Sequence, residues 1–285
     1  MAKKTLPLPG EIVKKSNAVA RAVWSINSVY EPRLVALVAS KVRQDDEDFR
    51  DYEIPMQEII GDAADGRTYK LLSDTVDNLM GKVITIAKPN GWAKCAIFSY
   101  CEYDAQKGTI NCRFDPAMKP HYLKLSEKFT QYSLMEFLSL PSIYSQRLYE
   151  ILKSWKDKPE VELGISDLHK ILDVPISLKK DFAAFRRRVL EKAHKDITEK
   201  TDLVYDWEAI KEGRSVVAVR FTFTKKRTQK LAKEKQLKRQ RANSQRNNKL
   251  GVAAVKCFES HGKVCNQENP KTKRICEVCK MLHPK

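Results

Sequence analysis

The most specific chemical spacing in this sequence lies near its C-terminus. Cys276 and Cys279 form a Cys-x-x-Cys pair, and His283 follows. Two thiolates at that spacing reach one tetrahedral zinc ion together. The remaining ligands must come from Cys257, His261, Cys265 or His283. The first-choice set is Cys265, Cys276, Cys279 and His283, with His261 or Cys257 as substitutes. Free thiols on a polar tail are the alternative, because the remaining spacing matches no standard zinc finger. A segment of roughly thirty residues has too little core to fold without such a staple.

Catalytic spacing is absent elsewhere. His121, His169, His194, His261 and His283 never form the His-x-His pair that a metal-dependent nicking enzyme of the rolling-circle kind needs. No glycine-rich phosphate loop of the Walker type occurs. Asp45, Asp46, Glu47 and Asp48 read as a solvated acidic loop. The expectation is a binding protein and not an enzyme.

The charge balance says what is bound. Lys and Arg number 53 against 36 Asp and Glu in 285 residues, a formal net charge of +17. That favours a polyanion, nucleic acid before membrane. Lys225 to Lys249 hold eleven Lys or Arg and one acid, Glu234, a net of +10. With almost no apolar residues this stretch cannot make a core. It reads as a basic linker that serves as an electrostatic arm for phosphates, or else as a plain soluble spacer. No apolar run approaches a bilayer span, and the N-terminus lacks the apolar core of a signal peptide. Of the seven cysteines, Cys95, Cys101 and Cys112 are scattered and the rest crowd the tail. That is no secreted disulfide framework, so a cytoplasmic protein is expected.

Base reading needs a helix that shows one basic face. Leu178 to Thr198 contain no proline or glycine, so the spacing predicts an unbroken helix with Ser177 as its N-cap. Phe182, Phe185, Val189, Ala193 and Ile197 make its apolar stripe. Lys180, Arg187, Arg188 and Lys195 fall on the opposite face, whereas a 3.6-residue wheel puts Arg186 beside the stripe. Lys179 precedes them. Upstream, Ile165 to Leu172 read as a short helix and Asp173 to Ser177 as a turn. Downstream, Leu203 to Ile210 and Ser215 to Thr224 read as strands, with Val217, Val219, Phe221 and Phe223 inward. Helix, turn, helix and hairpin make a winged helix, whose second helix enters the major groove.

The same order occurs once before. Ile54 to Gly61 read as a short helix and Asp65 to Met80 as a long one. Strands follow at 82–87, 93–103 and 108–114. Ile54 and Ile165 open the short helices, and Leu79 and Leu190 fall late in the long ones, each pair 111 positions apart. The fold expected is α+β: two tandem winged-helix domains, then a basic linker and a small Cys/His-rich tail. The divisions are 1–27 as a loosely tethered arm, in which Ile12 to Trp24 suit a helix, and 28–140 as the first winged helix. The second spans 141–225, the linker 226–250 and the zinc knuckle 251–285. An amphipathic helix from Pro141 to Trp155 opens the second domain.

Three stretches resemble a known family. Tyr144-Ser-Gln-Arg-Leu-Tyr-Glu-Ile-Leu-Lys153, Phe185-Arg-Arg-Arg-Val-Leu190 and Gly213-Arg214 before an alternating strand are similar to the initiator replication proteins of iteron-containing, theta-replicating plasmids. The similarity runs over roughly residues 28 to 225. It implies a protein that binds direct repeats (iterons) in double-stranded origin DNA and opens the adjacent AT-rich segment. It also implies recruitment of host replication proteins, an initiator and a helicase, and dimers that repress the initiator's own promoter while monomers initiate. Mapped by position, the resemblance makes the second-domain helix the main reader: Lys179, Lys180, Arg186, Arg187, Arg188 and Lys195. Arg187 and Arg188 suit guanine O6 and N7. Lys211 and Arg214 sit at the wing tip. Arg67, Lys70 and Lys82 suit backbone contact in the first domain, which the family uses for dimerisation. A free strand edge and the apolar Ala96, Phe98 and Tyr100 of that wing fit the same role. A tandem winged-helix repressor without a replication role is the competing reading.

Overall fold

The computed structural model describes residues 11–43, 45–60, 66–125 and 128–223. The basic linker, and every cysteine and histidine of the tail, lie outside the described residues.

The first described element is β1 (Ile12–Ser16), followed by α1 (Asn17–Ala20) and α2 (Tyr30–Lys41). Then come β2 (Tyr52–Pro55), α3 (Met56–Ile60) and α4 (Gly66–Met80). Four strands follow: β3 (Val83–Lys88), β4 (Gly91–Ala96), β5 (Phe98–Asp104) and β6 (Thr109–Phe114). Strand β6 pairs antiparallel with both β2 and β5, giving a sheet of order β2-β6-β5. Strands β3 and β4 form a separate hairpin. The expected single strand 93–103 is thus two strands in two sheets. The break falls at Ile97, which is buried and whose carbonyl accepts from Asp115 N at 3.0 Å. That buried turn redirects the chain from one sheet to the other.

After α5 (Lys119–Tyr122), β7 (Phe129–Ser133), α6 (Leu134–Leu138) and α7 (Ile143–Lys153), the pattern recurs. It comprises β8 (Glu160–Gly164), α8 (Ile165–Ile171), α9 (Ile176–Lys179) and α10 (Phe182–Phe185). A π turn (Arg186–Glu191) runs on into α11 (Lys192–Lys200), and β9 (Tyr205–Glu212) and β10 (Ser215–Phe223) close the unit. The second sheet has order β8-β10-β9, the same topology as β2-β6-β5. The three-stranded sheets of the two winged helices therefore match strand for strand, and the first unit adds the β3–β4 hairpin and the β1–β7 pair. Short leading strands β2 and β8 complete each sheet, and the pattern of alternation alone did not reveal them. A bulge between Val216 and Ala218 shifts the alternation of β10, so Ala218, Val219, Phe221 and Phe223 are buried and Val217 is only half-buried.

Residues 12–27 are no tethered arm. Strand β1 pairs with β7 from Ile12↔Ser133 to Ser16↔Phe129, in place of the expected helix. Val13, Val19, Ala20, Ala22, Trp24 and Ile26 are all buried in the core. Val13 and Lys15 alternate inward along β1, a strand pattern with period two.

Helix α7 is buried on every side, from Ser145 to Lys153. A helix covered all round belongs to the interior. Its charges are satisfied internally. Glu150 accepts from Lys15, from Arg147 Nη1 at 2.7 Å and from Tyr132 Oη at 2.5 Å. Arg147 also donates from Nη2 to Ala22 O at 2.7 Å. Burial alone would raise the Glu150 carboxyl, but the charges of Lys15 and Arg147 hold it below the ordinary range. The helix touches both winged helices: Tyr149 donates to Glu136 at 3.0 Å on one side, and Lys153 pairs with Asp202 at 2.5 Å on the other.

Candidate nucleic-acid interface

The reading helix begins later than its composition suggests. Helix α9 ends at Lys179, and Asp181 starts a new helix by accepting from Ala184 N at 3.1 Å. Asp181, not Ser177, is the N-cap of this helix. An aspartate at that position satisfies an orphan backbone donor and favours a break without proline or glycine. Lys179 and Lys180 consequently sit on the preceding turn, exposed.

From Phe182 to Lys200 the helix is continuous, and Phe185, Val189, Leu190, Ala193 and Ile197 are fully buried. Three contacts fix its attitude. His169 of α8 packs edge-on against Phe185, with ring centroids 4.7 Å apart. His194 Nε2 lies 2.9 Å from Tyr205 O on β9. Ser145 Oγ on α7 donates to Asp196 Oδ2 at 2.6 Å. His169 and His194 are thus packed among core groups, and burial lowers the pKa of His169.

The outward face carries the arginines. Arg186, Arg187 and Arg188 are all exposed, and Lys195 lies exposed further along. Arg186, expected beside the apolar stripe, is exposed at the start of a π turn. A π turn is wider than an α turn, and such turns cluster at functional sites. Arg186 Nε lies 3.0 Å from Glu191 Oε1, a pairing that spans five residues, one π turn. Arg187 and Arg188 project from the same turn. At the wing tip, Gly213 adopts φ +59°, and Lys211 and Arg214 flank it, exposed. Helix, turn, reading helix and wing therefore present Lys180, Arg187, Arg188, Lys195, Lys211 and Arg214 outside the core of one unit.

The first winged helix is less basic at its counterpart. Lys70 is exposed on α4, and the side chain of Arg67 lies outside the described residues. Lys82 is not available for a backbone phosphate, because it pairs with the fully buried Glu31. Asp51 takes Arg113 at 2.8 Å and Asp48 takes Lys119 at 2.8 Å, so part of the acidic loop holds local cations. Of the apolar wing residues, Phe98 is taken up by the core, whereas Ala96 is half-buried and Tyr100 stays exposed. Phe98 stacks on Phe114 with centroids 5.0 Å apart, and Cys112 is fully buried. The large apolar residues exposed on the β3–β4 hairpin are Trp92 and Val83, at 66% and 55%. Lys94 Nζ lies 4.9 Å from the centre of the Trp92 ring. Neither Trp92 nor the α7 network stood out in the sequence as functional.

Two family models match this chain in order. One, described as "Initiator Replication protein, WH1", covers residues 12–153. The other, "Initiator Rep protein, WH2", covers residues 164–223. The chain belongs to the initiator replication protein family. The first match begins at β1 and ends with α7, so the first described strand and the buried helix are both inside the first family unit. The "PI protein" of Escherichia coli is 28% identical over 144 residues, 45% of this chain and 47% of that relative. The initiator thus aligns with about half of that protein. The crystal structure of RctB domains 2–3 is similar over 71% of this chain and 83% of that one, at 12% identity and a TM-score of 0.39. No described helix of this initiator is long and apolar enough to cross a membrane.

Proposed function

We propose that this initiator binds direct repeats at a plasmid origin and reads their bases chiefly with the helix from Phe182 to Lys200. The observation that carries the reading is the exposed Arg186–Arg188 turn on the helix that follows the helix-turn of the second winged helix. Arginine forks donate two hydrogen bonds to guanine in the major groove, and the wing-tip Lys211 and Arg214 are suited to the flanking phosphates. The chain then promotes opening of the adjacent AT-rich segment and recruits host replication proteins. Its Cys/His tail holds one zinc ion.

A dimer joined through the first winged helix represses the initiator's own promoter, and a monomer initiates. Strand β4 pairs only with β3 among the described residues, so its other edge is open to a second copy. Two winged helices in one chain suit a direct repeat, whereas two-fold symmetry suits an inverted one.

Fluorescence anisotropy on a direct-repeat duplex and a scrambled duplex tests the core of this reading. Tight binding to the repeat with a preference of about a thousandfold or more, of the order that specific sites show, is the expected result. Equal affinity for both duplexes would overturn it. Light scattering alongside should give one protein per repeat.

A further inference from the structure

A groove of about 680 Å³ opens where the end of α7 meets the first winged helix. Its walls come from α1, β7 and the turn after α7, and they include Arg21, Lys128, Trp155, Lys156 and Lys158, with Asp157 as the acidic member. Arg21 is the organised part. Its guanidinium carbon lies 3.4 Å from the centre of the Trp155 ring. Its Nε donates to Ser154 Oγ and its Nη2 to Ser154 O, each at 2.7 Å. Those bonds lock one edge of the fork and leave Nη1 without a protein acceptor among the described residues.

The charge is also unanswered. No carboxylate among the described residues forms an ion pair with Arg21, whereas the fully buried cations of α7 and β1 each have one: Lys15 and Arg147 take Glu150, and Lys153 takes Asp202. Burial lowers the Arg21 pKa to about 10. A half-buried cation without a counter-ion is costly unless an anion arrives. Lys158 Nζ lies 5.0 Å from the same Trp155 ring, so a second cation is gathered on the same indole. The indole Nε1 is itself buried without a partner.

We propose that this groove is a phosphate-binding site, in which Arg21 supplies a preoriented fork and Lys128, Lys156 and Lys158 supply the surrounding positive field. A planar fork fixed on an aromatic ring is the arrangement that recognises phosphate oxygens with two parallel bonds. The phosphate comes either from the backbone of DNA passing the junction or from a free nucleoside phosphate. The first source rests on the DNA-binding reading above, and the second does not.

The test uses the full chain and the double variant Lys128→Gln, Lys158→Gln, which alters exposed side chains only. Arg21→Lys, which keeps the charge and loses the fork, is the companion. Affinity for the repeat duplex is measured across a salt series, and ATP and inorganic pyrophosphate are titrated by calorimetry. If DNA is the source, the slope of log affinity against log salt falls by about two in the double variant, and the preference for the repeat is unchanged. If a free nucleotide is the source, the slope stays, the unaltered chain binds ATP or pyrophosphate, and both variants weaken it at least tenfold. An unchanged slope together with no binding of either small anion overturns the proposal. Should the unaltered chain fail to prefer the repeat, the DNA-reading hypothesis falls while the calorimetry still decides the groove.

Discussion

Ser145 donates its hydroxyl hydrogen bond to Asp196 across 2.6 Å, from the first turn of the buried helix α7 to the C-terminal part of the reading helix. Lys153 donates from its ammonium to Asp202, two residues beyond the end of the reading helix, at 2.5 Å. The stretch Tyr144 to Lys153, which carries part of the family resemblance, is therefore a mount for the reading helix. Its polar residues face inward to hold a geometry, and none of Ser145, Arg147, Glu150 or Lys153 is exposed.

Removing the first of these bonds should loosen the mount. Ser145→Ala leaves the half-buried Asp196 carboxylate short of a donor and should cost about 1.5–3 kcal/mol, the range for hydrogen bonds to charged groups. Urea denaturation measures it. The exposed Thr222→Ala should stay within about 0.5 kcal/mol of the parent. Equal midpoints for the two variants would show that the bond to Asp196 is not structural.

Arg187→Ala should cost about 1–3 kcal/mol on the direct repeat and relax discrimination at one base position. Arg186 is already engaged by Glu191. Glu191→Ala releases that arginine and removes a negative charge, so it should tighten binding to repeat and scrambled DNA alike. Lys230→Ala, in the linker, should weaken both duplexes equally and lower the salt slope by about one. Anisotropy against a panel of single-base repeat variants separates these outcomes.

The Glu150 cluster predicts acid sensitivity. The folded pKa of Glu150 lies below its unfolded value, so the stability it contributes is present above the unfolded pKa. That stability is lost as pH falls through the folded pKa. Thermal melts from neutral pH down into the acid range should show the loss. Glu150→Gln strands Lys15 and Arg147 in the core without an anion and should cost about 3–5 kcal/mol at neutral pH. It should also flatten the acid limb. A variant that melts with the parent's pH profile would remove Glu150 from this role.

The tail should hold about one zinc per chain, and Cys276→Ser should abolish it. Because metal binding supplies folding energy to so small a segment, a chelator should make residues 251–285 protease-sensitive and spare the winged helices. Mass spectrometry of the native protein, with and without chelator, gives both readings. Metal-free protein purified without chelator would rule the knuckle out.

Much of the architecture could be read from spacing. The strong period-two alternation from Ser215 and the apolar stripe from Phe182 to Ile197 gave a hairpin and a helix, and the arrangement repeated 111 positions earlier. What escaped had physical causes. Strands β2 and β8 have only four and five residues, too few for alternation to register. The helix start at Asp181 carries no proline or glycine, only a capping carboxylate. The π turn at Arg186–Glu191 was also hidden, because a 3.6-residue wheel does not describe one. Residues 12–24 have apolar positions that suit either period, and only the partner strand β7 selects one. Lys82 reads as a surface cation, and its partner Glu31 is far away in sequence. Long-range partners of this kind are not visible in local pattern.

Strand β1 completes its sheet with residues 129–133, and its Lys15 meets Glu150. The first described strand thus waits for residues synthesised more than a hundred positions later. Pairings so distant form slowly, because loop closure must precede the contacts that reward it. On the ribosome, the first winged helix remains unfinished until α7 has left the exit tunnel. A nascent initiator therefore gains its first stable unit only when the mount for the reading helix is already in place, and polypeptides released before that point are exposed to proteases.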